Sequence, residues 1–405
     1  MAWIISITAG TWQTYAIKTA ASLGYKVFAV DGTPTAEGFN FADHTLCCDI
    51  FDTERIISVC NEMNINPKGV SSFTSEAGMI PAAKLRDYYN LSGIRFNSVR
   101  YFIDKCAQRA VWEEHHLPNP KWISATTFRD AVLNIKPLLF PLIVKPADGA
   151  GSRGITKIEK GQSLTKNAFD HAIAHSKSKK VIIEEYIDGI EYTAEVFADN
   201  GKIFILALTE KKKVDGTNGT VAVELASPQK NITLMDKASA TLLDAFKALG
   251  LTDGPGHAEF IISNEGKIYL VEAAGRGGGF MVFDRLVPAI SGVDVAKATV
   301  LNACGLSVDD ILSRRYAKPK AAVLRFFPSV EGTLTDISGF DKANSIVGIE
   351  AKPFVKINHK MRKAMTDGDR LGYILAIGND IVKTQLKTNQ AEKMINFEVI
   401  PHEDH

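Results

Sequence analysis

Hydrophobic positions in the first hundred residues alternate between short apolar runs and longer stretches of helical spacing. Residues 4–7 read as a buried strand, 12–23 as a helix that stops at Gly24, and 27–30 as a second strand ending on Asp31. Strand and helix recur at 70–73 and 79–89. This is the βαβ pattern of a parallel sheet wrapped by helices, which places a ligand crevice at the carboxyl ends of its strands.

Near residue 100 the pattern changes. Residues 104–116 have helical spacing and are closed off by Pro118 and Pro120, and 142–145 is a strand running into a glycine-rich loop. From Val181 the strands lengthen and alternate, at 181–183, 192–198 and 202–209, with Asn200-Gly201 marking a hairpin. A second hairpin joins 257–262 to 267–272 through Asn264-Glu265-Gly266, and helices at 234–249 and 293–303 pack around it. Beyond Lys318 a mostly β segment with recurrent glycines forms a small third unit. There is no internal repeat and no low-complexity tract. The expected class is α/β, with α+β character in the central part.

Composition narrows the function. A chain of 405 residues makes two to three domains at roughly 150 residues each. With 45% hydrophobic and 23% charged residues, it is neither disordered nor collagen-like nor a coiled coil. The 47 basic and 46 acidic residues leave +1, so no global field draws the protein to nucleic acid or membrane, and anion binding must come from local geometry. Five cysteines, an odd number without Cys-x-x-Cys spacing, speak against a disulfide framework or zinc site and for a reducing cytoplasm. The apolar opening run lacks a basic flank and breaks at Gly10, as a buried strand does and a signal peptide does not.

Three constellations carry chemistry. In the loop from Lys145 through Gly149, Gly151, Ser152 and Gly154, closely spaced glycines let backbone N–H groups converge on phosphate oxygens, with the Lys145 ammonium above them; a flexible turn is the bland alternative. Glu184-Glu185-Tyr186-Ile187, followed by Glu191, could meet an adenine edge through main-chain groups and a ribose through Glu191, or simply form a solvated acidic turn. If Glu265-Gly266 is a two-residue turn, Glu259 and Glu272 face each other across the hairpin. Like charges so placed imply a cation, and magnesium suits two carboxylates; rim glutamates are the alternative. Arg276-Gly277-Gly278-Gly279 adds a guanidinium and bare backbone for an anion.

Taken in order, Asp104-Lys105-x-x-x-Arg109, the Lys145 loop, Glu184 to Glu191, His257-x-Glu259 and Glu272-x-x-x-Arg276 resemble the ATP-grasp superfamily of carboxylate–amine ligases over nearly the whole chain. Thr366 to Gly372 is similar to a C-terminal segment of the dipeptide-forming L-amino acid ligase type. The resemblance implies an N-terminal Rossmann-like domain at 1–100, an ATP-grasp domain at 101–315 with a mobile lid at about 118–183, and a small C-terminal domain at 316–405. It also implies that Lys105, Lys145 and the loop Gly149 to Gly154 hold the phosphates of ATP, and that Glu184, Glu185, Tyr186, Ile187 and Glu191 hold adenine and ribose. Glu259 and Glu272 would bind magnesium or manganese, and Arg276 with Gly277 and Gly278 would stabilise the acyl phosphate or hold a substrate carboxylate. One departure is Ala274, where many members have a metal-binding Asn.

The expected reaction is activation of a carboxylate as an acyl phosphate and its capture by an amine, with an amino acid as one substrate. A carboxylase or purine-biosynthesis type enzyme is the alternative within the family, and a non-catalytic nucleotide-binding protein lies outside it. A nicotinamide oxidoreductase is disfavoured because Thr8 to Gln13 holds one glycine where the dinucleotide fingerprint needs three. His257 is either a packed strand residue or a group that orients substrate or accepts the amine proton. Glu76 either faces the substrate crevice or belongs to a helix cap. Lys211, Lys212 and Lys213, bordering the acceptor site, read as a solvated face more than as a substrate clamp, and Arg325, Arg362 and Arg370 read as exposed ion pairs more than as carboxylate or phosphate binders. Partners are small molecules only, and ligases of this kind are commonly homodimers.

Overall fold

The computed structural model describes residues 2–401 except 150, 152, 215–220, 229–231 and 318–319. Strands β1 (Trp3–Ile7), β2 (Lys26–Asp31), β3 (His44–Cys47) and β4 (Pro67–Ser71) form a parallel sheet in the order β3-β2-β1-β4. The expected first helix divides into a 3-10 turn, Thr11–Gln13, and the helix Thr14–Ser22. Strand β3 and the helix Thr53–Glu62, unassigned from sequence, complete the unit. That helix is capped by Asp52 and buries Ile56, Val59 and Cys60 on one stripe. Asp31 accepts the Ala9 and Thr33 amides, so its carboxylate is spent on the loop after β1.

A second sheet is made of β5 (Trp122–Ala125), β6 (Leu142–Pro146), β7 (Thr156–Ile158) and β8 (Val181–Glu185), in the order β5-β8-β6-β7. It has a core of its own, in which Val144, Ile158 and Ile183 pack against Phe169 and Ala172 of the helix Lys166–Ala174.

The third sheet carries most of the molecule. Strands β9 (Gly189–Asp199), β10 (Lys202–Lys213), β11 (Ala222–Ala226), β12 (Gly254–Ser263) and β13 (Ile268–Ala274) are followed by β14 (Ala321–Pro328), β15 (Gly332–Ser338), β16 (Ile349–Pro353), β17 (Lys360–Met361), β18 (Arg370–Gly378) and β19 (Asn396–Ile400). Eight strands run β13-β12-β9-β10-β11-β14-β18-β16, and β17-β15-β19 form a small sheet beside them. The C-terminal unit is therefore stitched to the central one through β11 and β14. It is mostly β, as expected, with the helix Ile381–Glu392 packed on it.

Period-two alternation sorts the large sheet into two faces. Ala258, Phe260 and Ile262 of β12 and Ala194 and Val196 of β9 are buried against Leu242 and Phe246 of the helix Ile232–Ala248. The intervening residues, His257, Glu259 and Ile261 with Glu191 and Thr193, line a cavity on the other side. Among the described residues, no single helix is long and apolar enough to cross a membrane.

Candidate active site

The β12–β13 hairpin opposes Glu259 to Glu272 as the sequence predicts, but by a different route. The turn is a three-residue loop: the Ser263 amide bonds to Lys267 O, and Ile262 pairs with Ile268. A bulge at Val271 then shifts the register by one between Glu259 and Phe260 and restores the 259–272 pairing. The bulge is held by the helix Lys105–Glu114, which covers the open edge of β13. Arg109 Nη2 donates to Val271 O at 2.7 Å, and Gln108 exchanges bonds with Ala273 at 2.5 and 3.1 Å. One turn earlier on that helix, the Lys105 Nζ lies 3.2 Å from Glu272 Oε1 and donates to Gly149 O at 2.9 Å.

Cations already answer both hairpin carboxylates: Lys105 answers Glu272, and Lys211 Nζ lies 2.8 Å from Glu259 Oε1 as well as 2.7 Å from Glu191 Oε1 on β9. The like-charge argument therefore does not by itself call for a metal. The donor set does fit one: two carboxylates about a quarter exposed to the cavity (26% and 24%) are hard oxygen ligands suited to magnesium or manganese. Ala274, at the position of the expected Asn, is buried and offers no ligand.

Close to this hairpin, Glu184 lies between Arg109 (2.8 Å) and Lys145 (2.9 Å), all three buried. Burial opposes its ionisation, but the two cations outweigh this and hold its carboxyl below the usual range. Lys145 is also pushed down, because burial and the neighbouring Arg109 and Lys105 together exceed the attraction of Glu184. Lys105 moves up: its burial is outweighed by Glu272 and Glu76. Three cations thus face two carboxylates where the glycine loop approaches. Gly149, Gly151 and Gly154 all have positive φ (115°, 74° and 75°). Ser152 lies outside the described residues.

The Glu184 to Ile187 stretch borders the same cavity, with less free backbone than expected. The Glu185 and Tyr186 amides bond to Lys121 O and Pro141 O, and the Glu185 carboxylate takes the Leu139 amide. The Tyr186 N–H is therefore unavailable as an adenine donor, and the Tyr186 ring has Lys157 Nζ 4.0 Å above it.

Gly277 and Gly278 offer less open backbone than expected. Their amides are taken by Phe73 O and Glu195 Oε2, and an added Cβ would meet Phe283 at 2.2 Å or Glu195 at 2.4 Å, so these glycines serve internal packing. Open backbone begins at Gly279. Arg276 Nη2 pairs with Glu76 Oε2 at 2.9 Å, and its Nε is buried without a partner. Glu76 faces the cavity; the amide of Gly78, which starts the helix Met79–Tyr89, bonds to Ser75 instead.

His257 Nδ1 lies 2.5 Å from Glu195 Oε1, and its Nε2 is 3.9 Å from Glu259. Burial disfavours the imidazolium, but Glu195 outweighs it and raises the pKa to about 9. The upward shift favours the imidazolium and so weakens the ring as an acceptor for the amine proton.

All the described site residues except Gly154 and Gly277 line one cavity of about 570 Å³, joined there by Thr366, Asp367, Gly368 and Arg370. Sequence reading gave no role to Arg109 or Gln108 and missed Glu195, although a carboxylate inside the apolar run 192–198 was a visible signal. It also misplaced Lys211, which is 10% exposed and buried between two glutamates, and Lys213, which pairs with Glu191. Arg325 is buried against Glu224 and Glu392, and Arg370 is buried as well; Arg362 is an exposed pair with Asp369 as expected.

Residues 138–284 match the family model of the ATP-grasp domain, and residues 325–399 match that of L-amino acid ligase C-terminal domain 2. An uncharacterized protein, y4rH, of Sinorhizobium fredii is 26% identical over 345 residues, covering 83% of this chain and 69% of its own length. The fold is similar to that of an L-amino acid ligase from Bacillus licheniformis, with TM-score 0.84, 18% identity and 99% of each chain covered. It is also similar to the biotin carboxylase domain of Hydrogenobacter thermophilus 2-oxoglutarate carboxylase, solved as a dimer with MgADP, ADP and bicarbonate. There the TM-score is 0.78 and the identity 15%, with 98% of this chain and 90% of that chain covered. The order of motifs, the four-sheet architecture and both domain matches agree: the chain contains an ATP-grasp domain and carries a C-terminal domain of the L-amino acid ligase kind.

Proposed function

We propose that the protein is an ATP-dependent ligase that joins a carboxylate to an amine, with an amino acid as one substrate. The observation that carries this is the gathering of Lys105, Lys145, Arg276 and the Glu259–Glu272 pair around one cavity, under the Glu184 to Ile187 segment of the second sheet. Three cations facing two carboxylates at the glycine loop leave positive charge for nucleotide phosphates. Arg276, with one nitrogen unpartnered, is free to take a carboxylate in exchange for part of its bond to Glu76.

In the proposed reaction a carboxylate oxygen bonds to the γ-phosphorus of ATP as the bridging P–O bond breaks, and ADP leaves. The amine nitrogen then bonds to the acyl carbon, the C–O bond to phosphate breaks, and the amine proton departs with the phosphate. Lys105 and Lys145 neutralise the transferring group, and Arg276 holds the acyl oxygens. His257, held by Glu195, lies 3.9 Å from Glu259, and its positive charge favours that carboxylate's ionised form. Magnesium or manganese held by Glu259 and Glu272 would neutralise phosphate charge. The second sheet, within about 118–183, is the proposed lid that keeps water from the acyl phosphate. A cytoplasmic homodimer acting on small molecules completes the reading.

The test is ADP release over pairs of small acids and amino acids with ATP and magnesium, with the amide product identified by mass. Release should need both substrates and disappear in Glu272→Ala. Bicarbonate-dependent release without an amine, or unchanged turnover in Glu272→Ala, would refute the proposal.

A further inference from the structure

Arg370, the first residue of β18, is 6% exposed and lines the cavity. Its guanidinium carbon lies 3.8 Å from the Phe326 ring centroid and 4.8 Å from that of Phe280, so the group makes cation–π contacts with two aromatic rings. Only Nη2 is satisfied, donating to Ala222 O at 2.9 Å and Asp367 Oδ1 at 2.6 Å. The Nε is buried with no partner, and Nη1 makes no hydrogen bond among the described residues. Burial outweighs the help of Asp367 and pushes its pKa down.

Arg325, on the neighbouring strand β14, shows how the fold treats a structural arginine. Its Nε and Nη2 meet Glu224, and its Nη1 meets Asn389 and Glu392. An arginine buried in a cavity wall with half its donors idle lacks that treatment. A planar anion would supply the missing partners.

Position tells which anion. Arg370 bonds to β11, beyond β12, β9 and β10 from Glu272, and so cannot grip the phosphates that Lys105 and Lys145 face. The cavity lining here includes the apolar Trp12, Leu225, Phe280 and Phe326, and the neighbouring cation Lys213, which stands on β10 opposite Ala222, is already paired with Glu191. Asp367, its only carboxylate partner, belongs to a turn braced by Asp369, which accepts from the Thr366 amide and hydroxyl.

We infer that Arg370 is the receptor for a carboxylate carried by the amine substrate, which is therefore an amino acid whose side chain lies against this aromatic wall. The inference rests on the ligase reading above. The reacting carboxylate belongs to Arg276; that of the amine belongs to Arg370.

The experiment compares L-alanine, L-alaninamide and ethylamine as amines in ADP release, with the acid partner fixed at the best one for the wild type. Arg370→Gln should raise the KM for alanine roughly 10- to 100-fold, the size of losing a charge-assisted bonded pair, with the KM for ATP and for alaninamide unchanged. A change shared by alanine and alaninamide, or a wild type that uses both equally, overturns the assignment while leaving the ligase reading intact. Asp367→Asn removes the competing carboxylate and should lower the KM for alanine severalfold without affecting alaninamide. It decides the matter if Arg370→Gln does not fold, and no selective fall overturns the assignment. If no pair supports turnover, the ligase reading fails, and calorimetric binding of alanine against alaninamide to the full chain with ADP and magnesium takes its place. A preference for alanine that Arg370→Gln abolishes upholds the site; no preference overturns it.

Discussion

Lys211→Met isolates one buried ammonium that serves two strands. Lys211 and Glu191 are each 10% exposed, and Glu259 is 26% exposed, so the methionine would leave one deeply buried and one partly screened carboxylate short of a partner. Breaking a buried pair costs about 3–5 kcal/mol. Lys213 still reaches Glu191 and His257 still lies near Glu259, which favours the lower end. A ceiling comes from protonation: neutralising a glutamate at pH 7 from an ordinary pKa near 4.3 costs about 3.7 kcal/mol, so neither carboxylate can cost more than that. The expected loss is about 3 kcal/mol at pH 7, measured by urea unfolding of the ligand-free protein. Burial raises the pKa of Glu259, but Lys211 and His257 outweigh it and hold the carboxyl well below the usual range. Its stabilisation is present above about pH 4.5 and lost as pH falls through the lower folded value, so wild type and variant should converge below pH 4.5. A loss under about 1 kcal/mol at pH 7, the size of an exposed pair, would refute the buried-counterion account.

His257 titrates at about 9, above its ordinary 6.5, so its contribution is full below pH 6.5 and lost as pH rises through 9. Wild-type stability should therefore fall by up to roughly 3 kcal/mol across that window, and His257→Gln should flatten the decline; parallel profiles would sink the assignment. Gly277→Ala drives a Cβ to 2.2 Å from the Phe283 ring, and a thermal melt should show a loss of about 1–3 kcal/mol or more.

Legibility followed the range of the interactions. Helix Met79–Tyr89 and the long hairpin strands were read from periodicity because one face of each is buried, a local consequence of alternation. The Glu259–Glu272 pairing was anticipated with a two-residue turn, whereas the structure reaches it through a three-residue loop and a bulge that Arg109 holds from another element. Lys211 looked like part of a charged surface run, because nothing local announces that β9 and β12 set Glu191 and Glu259 beside it. Gly277 and Gly278 looked like open backbone until Phe283 and Glu195 were seen to fill the space over them.

By itself, the sequence determined the strand and helix alternation, the order of the nucleotide and metal motifs, and the residue types for phosphate and cation chemistry. These follow from spacing along one chain. Which cation neutralises which carboxylate, which amides are already spent, and which arginine is left with idle donors were decided only by tertiary structure. Charge compensation and desolvation depend on neighbours brought from distant strands, as when β18 sets Arg370 against Phe326 and beside Ala222.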